Sequence, residues 1–325
     1  MEISKLKIRI GISLGDGALD FDSPDSVLRF IDDCERWDID SVWVSDRIAA
    51  PRPTLDPIVF MSYMASRLHN MKFGTSALVL PTRHPVLLAK QLATLDFLCK
   101  GRLLLVIGIG GDDSRDFAAT GVRKEERGRR GDEAIVLMKK LWTEENVTFQ
   151  GQFYSVRDLT LLPRPHQKQG PPVWVGGRSP AAFRRAGRLC DGWLASSITP
   201  AEVAAGIESI RKHAAEANRE IPDDHYGVLV PFVFASSASE GLMIDGASLR
   251  RRQDIPPEDY CALGTPADMR EKIQSYIAAG ATKFVLRPTG PKETVARQIE
   301  LLAKEVIPAL QTPFDASERR ERTAQ

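Results

Sequence analysis

The 325-residue chain is poor in cysteine: four stand at 34, 99, 190 and 261, with no CxxC pair and no short regular spacing. That excludes a disulfide framework and a thiolate zinc site. Cys34 and Cys99 lie in apolar helical stretches and read as buried free thiols. Five histidines show no HxH, HExxH or i,i+4 pairing, so a barrel-type zinc hydrolase is disfavoured and no metal is expected. No GxSxG elbow occurs, and Lys72 and Lys283 only open strands, so neither reads as a Schiff-base lysine. An excess of charge is also missing: 44 Lys+Arg face 43 Asp+Glu, a formal net charge of +1. Aromatic residues are scattered without a basic stripe. Nucleic acid and anionic membrane surfaces are therefore poor partners. No apolar run approaches the ~20 residues of a bilayer span. The opening MEISKLKIRIGISL lacks the apolar core and cleavage site of a signal peptide. These absences point to a reduced, cytoplasmic protein that handles a small molecule.

What the sequence does hold is an alternation. Eight β-rich runs stand at 7–14, 41–46, 72–80, 102–110, 172–177, 191–196, 226–236 and 282–288. Most are continuously apolar, as parallel strands covered on both faces require. Helical patterns lie between them at 24–37, 85–98, 132–142, 179–189, 200–217, 266–279 and 293–310. The first follows Ser23 as a cap, with Pro24 in its first turn. The pattern predicts an α/β fold, a single closed (β/α)8 TIM barrel over residues 1–311. Insertions at 111–131, 144–171 and 237–262 take up the surplus over a bare barrel. FQGQFYSV at 149–156 reads as a hairpin outside it, and the charged tail 312–325 as a frayed end. Arg127, Asp132 and Glu133 read as a helix-start charge network rather than as catalysts.

In such a barrel the chemistry sits where strands end. At 173–187 a strand ends in Gly176 and Gly177, Arg178 adds a positive charge, and Ser179–Pro180 start a helix. Close backbone approach, a helix start and a guanidinium together make an anion site suited to phosphate; a plain capped turn is the alternative. VIGIGG at 106–111 fails the GxGxxG fingerprint because Asp113 stands where glycine is needed. Its glycines, Gly108 and Gly110 among them, suit either a flat ligand or a barrel corner. GDGALD at 15–20 fails too and reads as a surface turn. Asp46 and Arg47 end the second strand, at the barrel mouth or as a bracing pair. Thr75 and Ser76 place two hydroxyls in an apolar run, where bonding to neighbouring backbone is an equal reading.

These motifs, in this order, resemble the luciferase-like flavin-dependent oxidoreductases (the bacterial luciferase-like monooxygenase superfamily), in the coenzyme F420-dependent branch. The resemblance covers about residues 8–196 and 262–310. It rests on SVWVSD (41–46), GTSALVLPTRHPVLLAKQLATLDFL (74–98), GRLLLVIGIGG (101–111), RRGDEAIVLMKKLW (129–142), PPVWVGGRSPAAFRRAGRLCDGW (171–193) and KFVLRP (283–288). It implies a flat cofactor at the barrel mouth, with its phosphate at Gly176, Gly177 and Arg178. It also implies a non-proline cis peptide at Ser76–Ala77 behind the ring, Gly108 and Gly110 along the ring, and Asp46 near its polar edge. A homodimer is implied as well.

Two positions depart from the family. Its strand-two motif is usually Asp-His, whereas Asp46 is followed by Arg47. The residue after the fourth strand, acidic in deazaflavin sugar-phosphate dehydrogenases, is Gly111, with Asp112 and Asp113 beyond. The expectation is hydride transfer between bound F420 and a small organic substrate, with Arg47 or Asp112 polarising or protonating it. The alternatives are an FMN-dependent monooxygenase using O2 and a cofactor-less barrel acting as a binding protein. A phosphosugar isomerase lacks a placed Glu/His base pair.

Overall fold

Buried on both faces and rich in Val, Ile and Leu, the eight central strands have no solvent-facing side to alternate with, and they pair in parallel. The computed structural model describes residues 7–15, 23–50, 53–111, 115–249 and 252–314. In chain order the elements are β1 (Arg9–Leu14), α1 (Pro24–Arg36), β2 (Ser41–Val44), α2 (Pro57–Arg67), β3 (Lys72–Val79), α3 (Pro85–Leu98) and β4 (Leu103–Gly108). Then come α4 (Arg115–Ala119), α5 (Arg127–Thr143), β5 (Val147–Gln150), β6 (Ser155–Leu159), β7 (Val173–Gly176), α6 (Pro180–Leu189), β8 (Gly192–Ser196), α7 (Pro200–Glu216) and β9 (Tyr226–Phe234). The last are α8 (Ala238–Leu249), α9 (Pro257–Tyr260), β10 (Ala262–Gly264), α10 (Pro266–Ala278), β11 (Lys283–Pro288), α11 (Val295–Glu305) and α12 (Ile307–Leu310).

Pairing runs β9–β11–β1–β2–β3–β4–β7–β8 and closes by β8 on β9, in register from Trp193 opposite Tyr226 to Ser196 opposite Leu229. This is the eight-stranded parallel barrel the alternation predicts. β10 is an additional short strand, which starts at the last residue of the 237–262 insertion and which the sequence pattern does not show. It pairs with Phe232–Phe234, beyond the stretch of β9 that β8 covers. β5 and β6 form the expected hairpin. The helix α2 does not show in the sequence pattern. PIVFMSYMASR is apolar nearly all round, so it lacks a helical stripe; Asp56 caps it by accepting from the N–H groups of Ile58 and Val59.

Alternate strand residues face outward, where Ile10, Ile12, Val42, Phe73 and Leu105 pack under the helices. Trp43, Val106, Leu194, Leu229 and Val285 face inward. Helix starts follow their sequence signals with one exception. Thr199 and Thr265 form capping boxes with Glu202 and Asp268. Ser23 occupies the cap position of α1, yet its hydroxyl makes no cap bond. The Arg127–Asp132–Glu133 group is structural, and α5 begins at Arg127 rather than 132. Asp132 accepts from Arg185 of α6, and Glu133 accepts from the N–H groups of Gln152, Phe153 and Tyr154, fastening the hairpin. Among the described residues no helix is long and apolar enough to cross a membrane.

Candidate functional site at the barrel mouth

The loops leaving β2, β3, β4 and β7 converge on a cavity of about 440 Å³ at the C-terminal end of the barrel. Its floor is the inward layer of Val106, Leu194 and Leu229. One wall is the Ser76–Ala77 peptide, which is cis, as the resemblance implies. Gly108 and Gly176 face it, so backbone without side chains lines the opposite side of the slot. Gly110 has no substitute. Its φ is +81°, and a Cβ there would lie 2.6 Å from the Phe117 ring. Gly177, at φ +105°, turns the chain from β7 into α6, which Ser179 caps by accepting from the N–H of Ala182 at 3.3 Å.

Asp46 sits at the slot's edge with only 7% exposure. Its Oδ2 accepts from the N–H of Val79 (2.9 Å) and from Arg83 Nε (3.2 Å), and its Oδ1 from Arg83 Nη2 (3.0 Å). Arg83 Nη2 also donates to Asp56 at 2.9 Å. Burial disfavours the Arg83 charge, but the two carboxylates outweigh it and hold its pKa above the ordinary guanidinium value. Arg83 thus ties the end of β2, the end of β3 and the start of α2 into one rigid corner. Sequence reasoning passed over it, because only the fold brings residues 46, 56 and 83 together.

The other expected residues divide. Arg47, Ser76, Ala77, Gly108, Gly110, Gly176 and Gly177 all line the cavity. Thr75 does not: it is fully buried, its hydroxyl donating to the Val106 carbonyl (2.7 Å) and accepting from the Val106 N–H (3.2 Å). Arg178 is exposed at the rim rather than lining the cavity, and its Nη1 donates to the Ser196 carbonyl at 3.3 Å. Asp112, the turn from residue 16 onward and the tail from 315 lie outside the described residues. Two lining residues carried no strong sequence signal, Asp116 on α4 and Arg287 on β11.

The slot fits a flat, fused-ring cofactor. Ser76 Oγ is buried and has no hydrogen-bond partner among the described residues, which leaves a polar atom beside the wall of the slot. Among the described residues there is no cluster of three His, Cys, Asp or Glu able to hold a metal ion.

A family model described as "Luciferase-like monooxygenase" matches residues 4–242. The chain is 27% identical over 322 residues to the F420-dependent glucose-6-phosphate dehydrogenase of Kineococcus radiotolerans, spanning 89% of this chain and 94% of that one. The enzyme of the same name from Amycolatopsis mediterranei is 28% identical, with 88% and 95% covered. Among solved structures, an F420-dependent secondary alcohol dehydrogenase in complex with an F420–acetone adduct superposes with a TM-score of 0.78 at 18% identity, covering 94% of this chain and all of that one. The FMN-bound oxygenating constituent of 3,6-diketocamphane monooxygenase from Pseudomonas putida gives 0.76 at 19% identity, covering 95% of this chain and all of that one. At these identities the superpositions establish the fold.

Proposed function

Because the chain belongs to the luciferase-like monooxygenase family, we propose that it is an F420-dependent oxidoreductase acting on an alcohol–carbonyl couple of a small organic molecule. The observation that carries this reading is the slot between the cis Ser76–Ala77 bond and the bare backbone of Gly108 and Gly176. Ser76, Ala77, Gly108 and Gly176 would hold the ring there, and Gly177 and Arg178 its phosphate-bearing arm. When bound, F420 supplies two-electron hydride chemistry; the protein supplies position and a dry wall. Val106, Leu194 and Leu229 exclude water from one face of the slot. Ser76 Oγ offers a hydrogen bond to the ring's polar periphery. Asp46 acts through Arg83, which fixes the edge of the slot. Arg47 and Arg287 stand at its open side, where a substrate oxygen would be polarised.

Arg47 and Gly111 occupy the positions at which deazaflavin sugar-phosphate dehydrogenases carry His and an acidic residue. A sugar phosphate is accordingly not the substrate we assign. The runner-up is an FMN-dependent monooxygenase, favoured by the FMN-bound structural neighbour. Anaerobic titration with each oxidised cofactor separates the two. Micromolar binding of F420 and much weaker binding of FMN is expected; the reverse order overturns the reading. Gly176→Val is the control, since a Cβ there meets nothing closer than 3.6 Å, so the variant folds while its side chain fills the slot and abolishes binding of either cofactor.

We further read the chain as a cytoplasmic homodimer. Four buried free thiols favour a reducing compartment. The solvent-facing apolar residues Val59 and Tyr63 of α2 and Leu87 of α3, at 70%, 50% and 65% exposure, are the face we assign to the second copy.

A further inference from the structure

Two carboxylates line the mouth cavity among the described residues, Asp46 and Asp116, and their surroundings are opposite. Both oxygens of Asp46 are occupied by donors from Val79 and Arg83, a guanidinium that never gives up its proton. Asp46 is therefore locked as an acceptor. Asp116 is half-buried on α4, and its Oδ1 accepts from the N–H of Ala49 at 2.7 Å. That bond joins the loop after β2 to the loop after β4 and fixes the carboxylate against the cavity. Among the described residues none donates a hydrogen bond to its Oδ2. A carboxylate oriented by one oxygen and open at the other has the arrangement of a general acid–base group.

We propose that Asp116 is the proton-exchanging residue of this site, the role that neither Asp46 nor Gly111 can fill. The proposal rests on the F420-dependent reading above. An alcohol that becomes a carbonyl sheds two hydrogens. One leaves carbon with both bonding electrons, the chemistry F420 supplies. The other leaves oxygen as a proton, which Asp116 Oδ2 takes and later passes to water; in the reducing direction it gives that proton to the carbonyl oxygen. Among the described residues, the charged groups that line the cavity with Asp116 are Asp46, Arg47 from the loop after β2, and Arg287 from β11, and Arg115 precedes it on its own helix. A bound ring would exclude water from this carboxylate, so its charge must weigh against cofactor binding.

That cost is measurable without a substrate. The Kd for F420 is followed by fluorescence at pH 7.5 in the wild type, D116N and D116E, with thermal unfolding as the check on folding. Asparagine keeps an oxygen to accept from Ala49, so D116N retains the loop contact. The wild-type Kd is expected to exceed that of D116N about fivefold. D116E keeps the wild-type value. With 2-propanol as the probe alcohol, D116N is expected to lower the rate by about 100-fold while leaving KM within a few-fold. Equal Kd values for wild type and D116N overturn the assignment of Asp116 and leave the cofactor reading standing. A wild type that binds neither F420 nor FMN overturns the cofactor reading, and this proposal with it.

Discussion

Lys283, the first residue of β11, donates its ammonium to the carboxylate of Asp40, 243 positions away, inside the closed end of the barrel. Ser41 donates to the same carboxylate at 2.8 Å, and Trp43 Nε1 donates to Ser41 Oγ at 2.9 Å. This chain of bonds seals the N-terminal end beneath the inward layer that floors the cavity. Removing one partner leaves an uncompensated buried charge. Asp40→Asn is expected to cost ~3–5 kcal/mol in urea unfolding, while cofactor affinity of the folded protein changes little.

The same carboxylate sets an acid limit. Burial alone would raise the Asp40 pKa, but the charges of Lys283 and Lys72 and the bonds from Lys283 and Ser41 outweigh it and hold it at about 2. For Lys283 burial outweighs the attraction, and its ammonium is pushed below the usual lysine range. Since the Asp40 value is depressed on folding, its stabilising contribution is complete above the ordinary carboxylate range. It is lost as pH falls from about 5 toward 2. Urea midpoints of the wild type should therefore drop across that window, and those of Asp40→Asn should drop less steeply.

Arg83 is expected to govern cofactor affinity without touching the cofactor. Arg83→Met removes both donors of the fork to Asp46 and the bond to Asp56, leaving the Asp46 carboxylate with the Val79 N–H alone and cutting its tie to the start of α2. F420 affinity should fall about 10-fold, with an accompanying ~1–3 kcal/mol loss of stability. Arg83→Lys restores charge but not the planar fork and should recover only part of the affinity. Equal affinity in wild type and Arg83→Met would show that this corner does not shape the slot.

The assigned dimer face makes a separate demand. Val59→Asp places a charge in the middle of the apolar surface of α2 and α3 and should convert a dimer to a monomer in sedimentation measurements. Val59 is 70% exposed in the single chain, so the variant should fold normally. A wild type that sediments as a monomer removes the homodimer reading.

The barrel was legible because its strands are continuously apolar and a helix start such as Ser179–Pro180 carries a readable cap. The slot was legible as far as glycine and local sequence reach: Gly108, Gly110, Gly176 and Gly177 declare themselves within single motifs. Arg83 and Asp116 did not, since each works through partners 37 and 67 residues away. The short strand β10 was hidden for a related reason. Three residues are too few to show a period, and only the upper end of β9 gives them a place to pair.

Thr75 and Ser76 make the sharpest case, because adjacent hydroxyls in one apolar run look alike in sequence and face opposite sides of β3. Thr75 both donates to and accepts from Val106, stitching β3 to β4 behind the slot. Thr75→Val keeps the shape but leaves the buried Val106 backbone groups without that partner. It should cost ~1–3 kcal/mol in unfolding. Ser76 Oγ, which has no partner among the described residues, supports nothing in the fold. Ser76→Ala should leave stability unchanged or slightly raised, because a buried unpaired hydroxyl is removed. Its effect should appear instead in F420 affinity, as a roughly 5- to 10-fold loss expected of one hydrogen bond. Unfolding and cofactor titration on the two variants therefore cross over. If Ser76→Ala destabilises the fold and leaves binding intact, the wall of the slot has been assigned to the wrong side of the strand.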